Sequence, residues 1–210
     1  MKHITFYLDF ISPYAYLAFE KLPVALMGHS YSVSYKPLLF AALLKRHGQL
    51  GPAEIAPKRD WTYRQVLWLA HQQGLELQMP ASHPFNPLAL LRLAVAAPQQ
   101  GDPNRYVCET VLRHVWQGGA EASDATRLQA LTDQLNPARL PGSMEVKAQL
   151  KANTDEALAL GVVGVPTFAV DGKLFWGLDA LPMLAAYLSG DPWFMETWPG
   201  VASVAQGVRR

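Results

Sequence analysis

The chain has 210 residues, 18 Lys and Arg against 17 Asp and Glu, a formal charge of +1, one cysteine, and half of its residues apolar. A chain of this length buries roughly 70% of its unfolded surface, so one domain, with or without an insert, forms a core without disulfide or metal staples. Basic residues adjoin only at Lys45-Arg46, Lys58-Arg59 and Arg209-Arg210, which gives no broad positive field and excludes nucleic acid as the expected partner.

Residues 3–9 alternate, with Ile4, Phe6 and Leu8 on one face and Thr5, Tyr7 and Asp9 on the other, the period of a strand. Ser12 is a good cap and Pro13 suits a first helical turn, so a helix is predicted from there to about Met27, closed by Gly28. Tyr31 to Lys36 alternates again, and Pro37 ends it. Strand, helix, strand in this spacing predicts a parallel pair. From about residue 38 to 152 the strand signals vanish. Helices are predicted at Trp61 to Gln73, from an Asn86-Pro87 start to near Ala97, and from an Asp102-Pro103 start through Val107, Val111 and Val115. Two more are predicted from Asp124 to Leu135 and from Ser143 through Leu160.

Val165 to Val170 and Lys173 to Trp176 are apolar runs around Asp171-Gly172, a strong two-residue hairpin signal. Leu178-Asp179 then opens a helix to about Leu188, with Asp179 as its cap. The order predicts an α/β chain: a thioredoxin-like fold with an all-helical domain inserted after the second strand. Its expected boundaries are 1–38 and 153–210 for the thioredoxin-like part and 39–152 for the insert.

Several chemistries find no support. The nearest string to a serine-hydrolase elbow, Gly28-His29-Ser30-Tyr31-Ser32, has Ser in place of the second Gly and precedes a strand. His71, His83 and His114 lie in separate segments without ligand spacing, so they are read as helix-surface or interdomain histidines and no metal is expected. No glycine-rich phosphate loop is present. The lone Cys108, within the valine-striped helix, excludes a disulfide framework and a Cys-x-x-Cys pair, and reads as a small buried apolar residue. Asp9 comes too early for a signal-peptide core, and no apolar stretch is long enough to span a bilayer; a cytoplasmic protein is expected.

Two features remain. Asp9-Phe10-Ile11-Ser12-Pro13-Tyr14 places a hydroxyl at a strand-to-helix junction, where free N–H groups and the positive helix end favour an anion. Gly164-Val165-Pro166-Thr167-Phe168 puts proline at the entry to an internal strand, where a missing N–H breaks the ladder. An ordinary N-cap and a trans proline at a strand start remain open readings of the two; a cis Val165-Pro166 bond would leave the Val165 backbone groups free for a ligand.

At these residues the sequence resembles 2-hydroxychromene-2-carboxylate isomerases, glutathione-dependent enzymes that share the kappa-class glutathione transferase fold, and more distantly the bacterial disulfide oxidoreductases with the same insert. The resemblance spans about residues 3 to 190 through DFISPYAYLA, PLLFAALLKRHG, PKRDW, HPFNPLALLR, GVVGVPTFAVDG and FWGLDAL. It implies that Ser12 is the active-site serine that hydrogen-bonds the glutathione sulfur. It also implies that Val165, beside cis Pro166, pairs its backbone with the cysteinyl part, and that Gly177, Leu178 and Asp179 hold the γ-glutamyl end. Lys45 and Lys58 match basic positions on the substrate side, Phe85 and Asn86 a segment near the aromatic ring, and Tyr14 a wall of the same cleft. The chain departs from the family pattern at Gln49, Gln65 and Ala180, where Asn, Asp and Arg are usual; the missing arginine weakens the clamp expected at the glutathione end.

The activity so implied is interconversion of 2-hydroxychromene-2-carboxylate and trans-o-hydroxybenzylidenepyruvate in aromatic degradation, by reversible thiolate addition and elimination with glutathione as cofactor. Lys45 would orient the substrate carboxylate. A kappa-class-like transferase that consumes glutathione and a non-enzymatic thioredoxin-like module are the alternatives. The resemblance also implies a homodimer acting on an aromatic carboxylate, with no membrane partner.

Overall fold

The structure, a computed structural model, describes residues 1–203 and Gly207; the Arg209-Arg210 pair lies outside them. Four strands form one sheet in the order β2-β1-β3-β4: β1 (Lys2–Leu8), β2 (Tyr31–Pro37), β3 (Thr167–Val170) and β4 (Lys173–Trp176). β1 pairs parallel with β2 and antiparallel with β3, and β3 and β4 form the antiparallel hairpin about Asp171 and Gly172, both at positive φ. Helix α1 (Pro13–Ala25) joins the parallel pair. β1 lies between β2 and β3, and a second apolar cluster of Leu38, Leu43, Ala157, Val162 and Val165 covers its other face, so Tyr7 is buried although alternation puts it on the polar side; Asp9, just beyond the strand, is buried too. Tyr7 satisfies its hydroxyl with Glu156 at 2.6 Å, and Phe6 packs at 4.5 Å between ring centroids on Phe168 and at 5.9 Å on Tyr35.

Between β2 and β3 run six helices: α2 (Phe40–His47), α3 (Ala56–Gln73), α4 (Leu88–Ala96), α5 (Arg105–Trp116), α6 (Ala125–Leu135) and α7 (Met144–Leu160). The chain is therefore a thioredoxin-like α/β domain with an inserted helical subdomain. α2 is absent from the sequence expectations, because nothing at Leu39 caps it; its first N–H, from Phe40, is bonded at 2.9 Å by Asp9 across the fold. α3 begins five residues before the expected Trp61. Asn86 is not a helix cap but closes a turn onto the Leu88 N–H at 3.1 Å, and α5 is capped by Asn104, two residues beyond the expected Asp102 start.

α7 is one unbroken helix, packed at its start on α4 and at its end on β2, where Asn153 donates to the Pro37 carbonyl at 3.1 Å and Lys36 pairs with Glu156 at 2.5 Å. Leu178–Ala180 is a 3₁₀ turn ahead of α8 (Leu181–Leu188), and Asp179 caps neither, contrary to expectation. In α9 (Trp193–Glu196) Phe194 is buried against Phe175 and Tyr187, with Trp198 on the same cluster, so this aromatic stretch covers the chain's own core. Among the described residues no helix is long and apolar enough to cross a membrane.

Candidate active site

Ser12 is the N-cap of α1, accepting from the Ala15 N–H at 3.2 Å, and its hydroxyl donates to the Val165 carbonyl at 3.3 Å. The Val165–Pro166 peptide is cis. The two sequence features, 153 residues apart, thus meet. Around this point backbone N–H groups lack partners: proline occupies the first helical position, and neither Tyr14 nor Val165 N–H has an acceptor among the described residues. The Tyr14 N–H and the Ser12 hydroxyl at the α1 N-terminus can donate to a negatively charged atom, with the Val165 N–H a further free donor beside them. A 3.3 Å hydroxyl contact lies beyond the usual O–H···O range, so rotation of Ser12 toward such an atom gives up little.

Five hydrogen bonds hold the loop that carries Ser12. The Asp9 carboxylate accepts from Ile11 N–H at 3.2 Å and from Phe40 N–H at 2.9 Å. The Ser12 N–H bonds the Asp9 carbonyl at 3.1 Å. The fully buried Trp116 donates its indole N–H to the Phe10 carbonyl at 3.0 Å, and the His83 ring bonds the Ile11 carbonyl at 2.8 Å. Burial pushes the Asp9 carboxyl up to about 7 against the opposing pull of its backbone N–H partners. Of these three side chains, Asp9 falls within the serine string, whereas His83 and Trp116 carry no local signal of a place in the site.

Beyond Pro166 the site continues to Gly177, whose N–H donates to the Pro166 carbonyl at 2.9 Å. Gly177 has φ +100, and a Cβ there would lie 2.4 Å from Asp179 Oδ1, so only glycine lets that exposed carboxylate fold back over the turn. Trp176, 60% exposed, lies over Gly164, where a Cβ would meet its indole nitrogen at 2.8 Å. It walls the Val165 edge, a role the sequence does not reveal. Tyr14 is half-buried and donates to Gln65 at 2.6 Å, bridging α1 to α3 through one of the departures from the family pattern. Burial raises its hydroxyl's pKa, with a smaller push from Asp179, so it stays protonated.

The remaining expected residues are less closely joined. Phe85 is half-buried beside His83, with ring centroids 6.1 Å apart, and Asn86 is exposed. Lys45, in the last turn of α2, and Lys58, in the first turn of α3, are exposed and pair with no carboxylate among the described residues. Lys58 opposes the helix dipole there, so helix stability does not account for its position. Cys108 is fully buried in α5, and burial pushes its thiol far above the ordinary range, so it supplies no thiolate.

The sequence matches the family described as DSBA-like thioredoxin domain over residues 3–189. The chain belongs to that family. Among curated proteins it is 27% identical over 194 residues to 2-hydroxychromene-2-carboxylate isomerase from Sphingobium xenophagum, covering 89% of this chain and 98% of that one. It is 25% identical over 208 residues to glutathione S-transferase kappa 2 of Caenorhabditis elegans, covering 90% and 92%. A solved 2-hydroxychromene-2-carboxylate isomerase superposes with a TM-score of 0.78 over 97% of this chain and 100% of that chain, at 20% identity, which shows the shared fold. Within the DSBA-like family the chain is thus similar to these isomerases and kappa-class transferases.

Proposed function

We propose that the protein is a glutathione-dependent isomerase interconverting 2-hydroxychromene-2-carboxylate and trans-o-hydroxybenzylidenepyruvate. The observation that carries this reading is a serine, not a cysteine, at the α1 N-terminus, its hydroxyl on the Val165 carbonyl and the Val165 N–H beside it without an acceptor among the described residues. Without a protein thiol at that position the thioredoxin fold has no disulfide chemistry of its own, and the donors await a thiol from outside. The donor set fits glutathione. The Val165 N–H and carbonyl would pair with the cysteinyl unit, while Ser12 Oγ and the Tyr14 N–H would face the sulfur. Gly177 and Leu178 would let the γ-glutamyl end approach the backbone, and Asp179 would meet its ammonium. Glutathione, when bound, would supply a thiolate whose addition to the conjugated carbon shifts the π electrons onto the carbonyl oxygen and makes the adjacent bond single, with elimination restoring the double bond and returning the thiolate.

The chain's own residues do the rest. Ser12 Oγ–H and the helix end favour the deprotonated sulfur, Lys45 and Lys58 would draw in the substrate carboxylate, and Tyr14, Phe85 and Asn86 would border the ring. Turnover of chromene carboxylate should exceed the glutathione supplied by orders of magnitude, followed by the change in substrate absorbance. Stoichiometric loss of glutathione would instead establish the transferase reading, which the kappa-class relative supports.

Asp179→Asn tests the γ-glutamyl contact. Because Asp179 caps no helix, the variant should keep its melting temperature while glutathione affinity falls roughly 3- to 10-fold, as for loss of a partly exposed charge pair of about 1 kcal/mol. Unchanged affinity by calorimetry would remove Asp179 from the site.

A further inference from the structure

We propose that His83 is a positioning residue for Ser12: its ring, held by Tyr63, bonds the Ile11 carbonyl and so fixes the peptide that aims the hydroxyl of Ser12 and the N–H of Tyr14 at the sulfur. The proposal deepens the glutathione reading and rests on the sulfur lying at Ser12. A carbonyl oxygen only accepts, so His83 Nε2, 2.8 Å from it, carries a proton. The Tyr63 hydroxyl sits 2.8 Å from both His83 Nδ1 and the His83 carbonyl; its single proton serves one of them at a time, and it holds the ring by hydrogen bond when it is donated to Nδ1. Burial lowers the pKa of His83, so the ring is neutral near pH 7, with Nδ1 as an acceptor for Tyr63. The rings of Phe85 and Trp116 flank it at 6.1 and 5.6 Å between centroids.

Ile11 immediately precedes Ser12, so the orientation of its peptide sets that of the cap. Its N–H is bonded to Asp9 and its carbonyl to His83. Without the imidazole, the Ile11 carbonyl loses its donor, and the peptide that leads into the Ser12 cap loses the contact that fixes its orientation. His83 therefore acts on the sulfur through Ile11 and needs no contact with substrate. The charged and titratable groups facing this arrangement are Asp9 on Ile11, and Arg59 and Asp60 near Tyr63.

The test uses a thiol within the chain and so does not depend on glutathione binding. Ser12→Cys places a thiol at the helix end, and Cys108, buried with its pKa far above the range scanned, does not interfere. Thiolate absorbance against pH should give a pKa below the ordinary value of about 8.5. Adding His83→Leu should raise that pKa by about one unit, while adding His83→Gln, whose amide can donate to the same carbonyl, should restore most of the shift. Measuring each pair in an Asp9→Asn background removes the one carboxyl that titrates nearby. An unchanged pKa in His83→Leu, or equal shifts in the Leu and Gln variants, overturns the positioning role. Glutathione calorimetry on the wild type separates the two ideas: no binding there ends the isomerase reading and leaves the thiol result to judge His83 alone.

Discussion

Ser12→Ala should lower turnover of chromene carboxylate roughly 10- to 150-fold, the range set by losing one hydrogen bond of about 1.5–3 kcal/mol to a charged atom in the transition state. The same loss should raise the pKa of the bound glutathione thiol by about one to two units, since the donor stabilises only the thiolate. Absorbance of the thiolate against pH reads this directly. Ser12 is also the cap of α1 through the Ala15 N–H, and Ala at that position costs about 1 kcal/mol of stability whereas Gly costs a few tenths. Ser12→Gly should therefore match Ser12→Ala in turnover while melting closer to wild type. Equal thiol pKa values in the variants and the wild type would remove the sulfur-stabilising role. A covalent adduct trapped on Ser12 Oγ would replace it with a nucleophile.

Asp9→Ala should be strongly destabilising, by about 1–3 kcal/mol, because it strips partners from the half-buried Ile11 and Phe40 N–H groups together. Turnover should fall with it, since the loop before Ser12 and the start of α2, which bears Lys45, are joined through this carboxylate. The pH dependence separates ionisation from packing. The folded pKa is raised, from 3.8 to about 7. Between these values the folded chain holds a proton that the unfolded chain has released, so stability falls as pH rises, by up to about 1.4 kcal/mol per unit, and levels above 7. His83 and His114 work in the opposite direction, since burial lowers their pKa values and the unfolded chain alone takes up their protons as pH falls through about 6.5. Asp9→Asn mimics the protonated carboxyl, and the difference between it and wild type isolates Asp9. Urea unfolding from pH 4.5 to 8 should show near-equal stabilities at the acid end and the Asn variant ahead at pH 8. A difference that stays constant across the range would mean that Asp9 keeps one protonation state throughout.

β1, α1, β2 and the β3-β4 hairpin are legible in the sequence because their determinants are local: alternation along Ile4 to Leu8, the Ser12-Pro13 start, and the Asp171-Gly172 turn. The serine junction and the Val165-Pro166 entry are likewise visible as strings, and the family resemblance implies that they share one site. What the sequence could not show are the groups that hold them in place. α2 escapes a local reading because its first N–H is satisfied by Asp9, 31 residues earlier, rather than by a cap at Leu39. The Ile11 and Phe10 carbonyls are bonded by His83 and Trp116, 72 and 106 residues away and on the inserted subdomain. A histidine in a loop and a tryptophan at a helix end carry no pattern that distinguishes packing from positioning. Their function arises only when folding buries two carbonyls that must find donors, and the nearest donors belong to the insert.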